Sequence, residues 1–96
     1  MKYIKVRWLH NHTDDPILIF TEIDDDLWEH RKVEFFRNKQ KGYADKTIEY
    51  GGSMLSLEPW PSLVELKADP EFEVNEISPT EFNEVWSLRN EFWDGE

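Results

Sequence analysis

The sequence predicts an α+β fold: an antiparallel sheet of four to six strands, with a short helix and a C-terminal amphipathic helix packed on one face. Three observations carry this. Apolar and polar side chains alternate with a period of two in several short stretches. The connections between these stretches are of hairpin length, which suits antiparallel neighbours. One late segment, opened by Ser78-Pro79-Thr80-Glu81, carries both the start signal and the periodicity of a helix. The chain has 96 residues, which is enough for one domain and leaves no room for two cores. Leu, Ile, Val and Phe supply 25 residues and Trp another five, too much apolar surface for a solvated coil.

The first strand spans residues 2–10, with Ile4, Val6, Trp8 and His10 on one face and Tyr3, Lys5, Arg7 and Leu9 on the other. Asn11 to Pro16 is a loop, because Asn and Asp turn the chain and Pro16 presets φ. Residues 17–23 form a second strand with Ile17, Ile19 and Ile23 together, and Asp24-Asp25-Asp26 ends it. Residues 28–37 fit a third strand. Their Glu, Lys and Arg content would also suit a helix, but Val33 with Phe35, and the turn-rich Asn38 to Gly42 after them, favour a hairpin into a short strand at 43–45. Gly51-Gly52-Ser53 is a turn, and Leu55 and Leu57 suit a brief strand. Pro61 is placed to open a short helix through Ala68, which Pro70 stops. Residues 72–77 alternate again. Ser78 as N-cap, Pro79 at the first turn and Glu81 three residues on then start the last helix. Its apolar arc holds Phe82, Val85, Trp86, Leu88, Phe92 and Trp93.

Chemistry-bearing motifs are sparse. His10-Asn11-His12 has a spacing that two metal ligands on a strand can share, but a catalytic zinc needs a third ligand and the one other histidine is His30. Asp24-Asp25-Asp26 lacks the spaced ligands and central Gly of a calcium loop and reads as a solvated turn. Gly51-Gly52-Ser53 has neither the ending of a phosphate loop nor the second glycine of a nucleophile elbow. No carboxylate pair stands out among 21 acidic residues. No metal, cofactor or catalytic residue is therefore assigned, and the chain is not expected to be an enzyme. Without cysteine it has no disulfide, thiolate zinc site or thiol nucleophile, which fits a reducing compartment. The N-terminus is not a signal peptide and no apolar run approaches a membrane span. The expected location is the cytoplasm.

Charge is the informative feature. Residues 1–48 hold nine basic and nine acidic side chains, whereas residues 49–96 hold two basic (Lys67, Arg89) and twelve acidic, so the whole net charge of −10 lies in the second half. Nucleic acid and anionic lipid repel such a surface, and neither is expected as a partner. A basic protein is, because the field would steer it in.

The chain resembles a family of small uncharacterised bacterial single-domain proteins. The resemblance lies in residues 3–10, in Thr21-Glu22-Ile23 followed by Arg31-Lys32-Val33-Glu34, and in Phe72-Glu73-Val74-Asn75-Glu76-Ile77 with Glu81-Phe82. The family carries no assigned activity, so it implies no functional residue here. In size and charge the chain is also similar to immunity proteins of bacterial toxin systems. Charge and this likeness together give the functional expectation: an acidic protein-binding domain of the immunity type, masking a basic toxin such as a nuclease. The expected contact residues are Glu65, Asp69, Glu71, Glu73, Glu81, Glu84 and Glu91, with Trp60 and Trp93 as aromatic anchors. A stand-alone structural or regulatory module whose acidity serves solubility is the alternative.

Overall fold

The computed structural model describes residues 1–91. Five strands run in sequence: β1 (Lys2–Trp8), β2 (Pro16–Ile23), β3 (Glu29–Phe36), β4 (Lys41–Ala44) and β5 (Glu49–Tyr50). Helix α1 (Leu63–Ala68), strand β6 (Phe72–Ile77) and helix α2 (Pro79–Ser87) follow. All six strands form one antiparallel sheet in the order β5-β4-β3-β2-β1-β6. The fold is therefore α+β. Strand β6 returns beside β1, with Val6 opposite Val74 and Tyr3 opposite Ile77, which makes β6 one edge and β5 the other.

The sheet is buried on both sides, and its two cores alternate along the same strands. One face carries Leu18, Phe20, Val33, Phe35 and Tyr43, covered by Phe82, Val85 and Trp86 of α2. The opposite face carries Ile4, Val6, Ile19 and Ile23, covered by Trp60, Leu63 and neighbouring side chains from α1 and the segment before it. The two helices, expected together on one face, are thus divided by the sheet. β2 explains why: Leu18, Ile19, Phe20, Thr21, Glu22 and Ile23 are all buried, and a strand apolar on both faces needs a cover on each.

Further differences are local. Strand β5, two residues paired with Tyr43 and Ala44, replaces the brief strand expected at Leu55 and Leu57. The type of turn that follows needs left-handed backbone, and Gly51 and Gly52 supply it with φ of 68° and 85°. Helix α1 is capped by Ser62, whose hydroxyl accepts the Glu65 N–H at 3.2 Å, so Pro61 lies outside the helix. Helix α2 starts as expected, with Ser78 accepting the Glu81 N–H at 3.0 Å. It ends at Leu88, which is exposed although it falls in the apolar arc. Arg89 turns in instead, its guanidinium 4.4 Å from the Trp86 ring centre and 5.3 Å from that of Tyr43.

Candidate functional site

The site is built on the α1 face by a ten-residue strap, residues 53–62, that crosses the sheet without regular structure. Polar side chains of β3 hold it down. Ser53 Oγ donates to Glu34 Oε1 at 2.6 Å, the Ser56 N–H to Glu29 Oε1 at 2.8 Å, and the Trp60 indole N–H to Glu29 Oε2 at 3.1 Å. The Trp60 backbone N–H reaches the Leu27 carbonyl at 2.8 Å. Leu27 has φ of 70°, a conformation that costs a non-glycine residue about 1–2 kcal/mol.

Glu29 is the anchor of this arrangement. Its side chain is 0% exposed, and it also accepts Thr21 Oγ1–H at 2.7 Å and faces Lys32 Nζ at 3.1 Å. A buried carboxylate is tolerable only with such a full set of partners. The pairing of β2 with β3 shifts register between Glu22 and Ile23, so that Glu22 faces Arg31 while Ile23 faces Glu29 and His30 is the extra residue. Strict alternation from Arg31, which lies under α2, would put Glu29 on the α2 face. The bulge returns it to the strap face, which is the kind of re-aiming that bulges provide.

Between strap and sheet lies a groove of about 400 Å³. Val6, Trp8, Ile19 and Phe72 of the sheet, Leu66 of α1, and Glu58 and Trp60 of the strap line it. Trp8 and Phe72 pack with ring centres 6.1 Å apart. The Trp8 indole N–H donates to Glu71 Oε1 at 3.0 Å, so both indole donors are taken by carboxylates and their rings are fixed in orientation. From Ser56 to Glu73 the chain carries Glu58, Glu65, Asp69, Glu71 and Glu73 against Lys67 alone. An aromatic groove with Glu58 in its lining and Glu71 bonded to one of its indoles is suited to a cation that also has apolar surface.

The expected contact residues fall into three places. Trp60 lines the groove and Glu71 bonds the Trp8 indole, while Glu65 lies in α1 and Asp69 at its C-cap. Asp69 Oδ1 accepts the Glu71 N–H at 2.9 Å, which fixes the turn between α1 and β6. Glu73 sits on the other face, where it pairs with Arg7 at 3.6 Å, and exposed Glu81 and Glu84 belong to α2. Glu91 lies past α2 near β4, in a second cavity of about 310 Å³ shared with Lys41 and Arg89. Burial pushes the Lys41 amine below its ordinary value there. The acidic half therefore does not form one continuous patch. Trp93 lies outside the described residues.

Trp8, Phe72, Glu58 and Glu29 were not picked out from the sequence. Trp8 and Phe72 read as ordinary strand residues, and the one available hint was Glu58 directly before Pro59-Trp60-Pro61. The histidine pair is internally committed: His10 Nδ1 accepts the His12 N–H at 3.0 Å, so its Nε2 carries the proton and donates to the Pro16 carbonyl at 2.8 Å. Among the described residues no group of three or more His, Asp or Glu is arranged to hold a metal ion. Nor is any helix among them long and apolar enough to cross a membrane. Asp24 closes the acidic turn by accepting the Asp26 and Trp28 N–H groups at 2.9 and 3.0 Å. Its carboxyl is held below its ordinary value, chiefly by His30 and then by the Trp28 amide.

A family model described as a domain of unknown function (DUF6881) matches residues 2–91, nearly the whole chain. The chain belongs to this family. The matched span contains the entire sheet, both helices and the strap, so the groove is part of the DUF6881 domain and not an addition to it. No curated protein and no solved structure matches the chain.

Proposed function

We propose that this domain acts by binding a basic protein rather than by catalysis, and that the partner is a toxin such as a nuclease, which it holds inactive. The observation that carries the reading is an aromatic groove with Glu58 in its lining and Glu71 bonded to its Trp8, on the side of the sheet covered by α1, the helix of Glu65 and Asp69. Carboxylates alone would serve solubility. Carboxylates around half-buried Trp8 and Trp60 combine long-range steering with the aromatic anchors that carry binding energy at interfaces. A nuclease must attract phosphate and is positive around its active site, so an acidic surface can occlude it by offering carboxylates in place of phosphates. The likeness in size and charge to toxin-immunity proteins supports the same class.

The test is affinity capture from the host lysate, followed by mass spectrometry, with wild type and a Glu58→Lys/Glu65→Lys variant. A basic protein held by wild type, and released by the double change or by high salt, is expected. Its nuclease activity should fall when the domain is added back. Capture of no basic protein, or capture indifferent to both charge and salt, overturns the reading.

A further inference from the structure

We propose that the groove between Trp8 and Trp60 is a receptor for an arginine side chain, presented by the basic partner inferred above; the proposal rests on that reading for its source of arginine. A groove of about 400 Å³ lies at the low end of small-ligand sites, about 300–1,000 Å³, and suits one long side chain better than a cofactor. Its aromatic lining offers π surface and no free indole donor, because the Trp8 and Trp60 N–H groups are given to Glu71 and Glu29. An anion or a carbonyl would find no free indole donor, and among the described residues no Lys or Arg lines the groove to receive it. A cation finds the Trp60 ring, the Trp8 ring packed with Phe72 and His10, and exposed Glu58 in the same lining.

Arginine suits these walls better than lysine. The guanidinium is planar and weakly hydrated, so it stacks on indole and can still meet a carboxylate through two parallel hydrogen bonds. Its methylene stem would lie along Val6, Leu66 and Phe72. The other face of the same sheet already uses this combination. Arg31 lies 4.9 and 5.3 Å from the ring centres of Phe82 and Trp86 while it grips Glu22 through two bonds of 2.7 Å. The groove brings together the same kinds of group, aromatic rings and a carboxylate.

The test follows the indole N–H signals of ¹⁵N-labelled protein during titration with three small probes: Nα-acetyl-arginine amide, its lysine counterpart and its neutral isostere, the citrulline amide. The arginine probe should shift the Trp8 and Trp60 signals saturably in the millimolar range and leave Trp28 unmoved. Lysine should bind more weakly, and citrulline about ten-fold more weakly, since it keeps the shape and loses the charge. Glu58→Gln, an exposed change, should weaken the arginine response several-fold with the rest of the spectrum intact. Trp60→Leu should abolish it, and if that variant fails to fold, Glu58→Gln decides. Silence of both indoles toward arginine, or an equal response to citrulline, overturns the proposal. If arginine is silent while a basic protein is still captured in a salt-sensitive way, the groove assignment falls and the basic-partner reading stands. If arginine binds but no basic protein is captured, the partner reading falls and the guanidinium receptor stands.

Discussion

Glu29 is buried beneath the strap and accepts hydrogen bonds from Thr21, Ser56 and Trp60 while facing Lys32. Replacing it with Gln keeps the shape but turns one acceptor into a donor that points at other donors, and it leaves Lys32 without its nearer carboxylate. Breaking a buried ion pair on one side costs about 3–5 kcal/mol, and Glu34, 3.8 Å from Lys32, can take up part of the loss. Glu29→Gln should therefore destabilise the domain by about 3 kcal/mol, read as a lowered urea midpoint, with the Trp60 indole N–H exchanging faster than the amides of β2. An unchanged midpoint would show that the strap is held by packing alone. Glu22 makes a different prediction. The Arg31 guanidinium holds its carboxyl below the ordinary value of 4.5, so the pair contributes stability above about pH 4.5 and loses it as pH falls through the depressed folded value. Acid also relieves the repulsion of a −10 chain, so the useful quantity is the difference between wild type and Glu22→Gln. That difference should be about 2 kcal/mol near neutral pH and shrink toward zero on acidification in urea titrations. A gap that persists below pH 3 would mean the contribution is packing and not charge.

Among the elements, the two helices depend differently on their caps. Helix α1 has six residues and buries Leu66, far too short to hold without tertiary support. Helix α2 has nine and seats Phe82 in the core. Removing either serine cap costs about 1 kcal/mol. Ser62→Ala should appear as local opening, with the Leu66 amide, which bonds to the Ser62 carbonyl at 3.0 Å, losing hydrogen-exchange protection ahead of the sheet. Ser78→Ala should instead lower the global midpoint, because α2 is part of one core. Equal loss at both sites in the Ser62 variant would refute this division. The Ser78 cap, the alternation of β1 and β6 and the β3–β4 hairpin were legible because each is set by residues within a few positions. What depends on a distant partner was not. Two-residue β5 exists because Tyr43 and Ala44 are there to pair with it. An apolar helix stripe states that α1 needs a sheet, not which side of the sheet it covers. The face of Glu29 turns on a one-residue bulge at His30 that leaves no mark in a strand of mixed polarity, and with it went the strap and most of the groove.

At the scale of the whole molecule, the sheet order converts an imbalance along the sequence into one across space. Strand β6, with Glu73 and Glu76, and the adjoining helix α1, with Glu65, lie at one edge, while β4 lies beyond β1, β2 and β3, about 19 Å away at roughly 4.8 Å per strand. Around β4 the field is partly cancelled, because Lys39, Lys41 and Arg89 share a cavity with Glu91. Two variants with the same change in net charge should therefore behave differently toward the basic protein captured from the host. Glu65→Lys with Glu76→Lys reverses charge at the β6 edge, and Glu49→Lys with Glu91→Lys reverses it beside β4. Steering by a localised field raises association rates by about 10–10³-fold and is screened over about 10 Å at 0.1 M salt. The β6 pair should slow association about ten-fold at low salt, measured by stopped-flow tryptophan fluorescence, with the difference from wild type closing as salt rises. The β4 pair should slow it much less at every salt concentration. Equal slowing by the two pairs would mean that the partner responds only to net charge, and the groove edge would then have no claim to be where it docks.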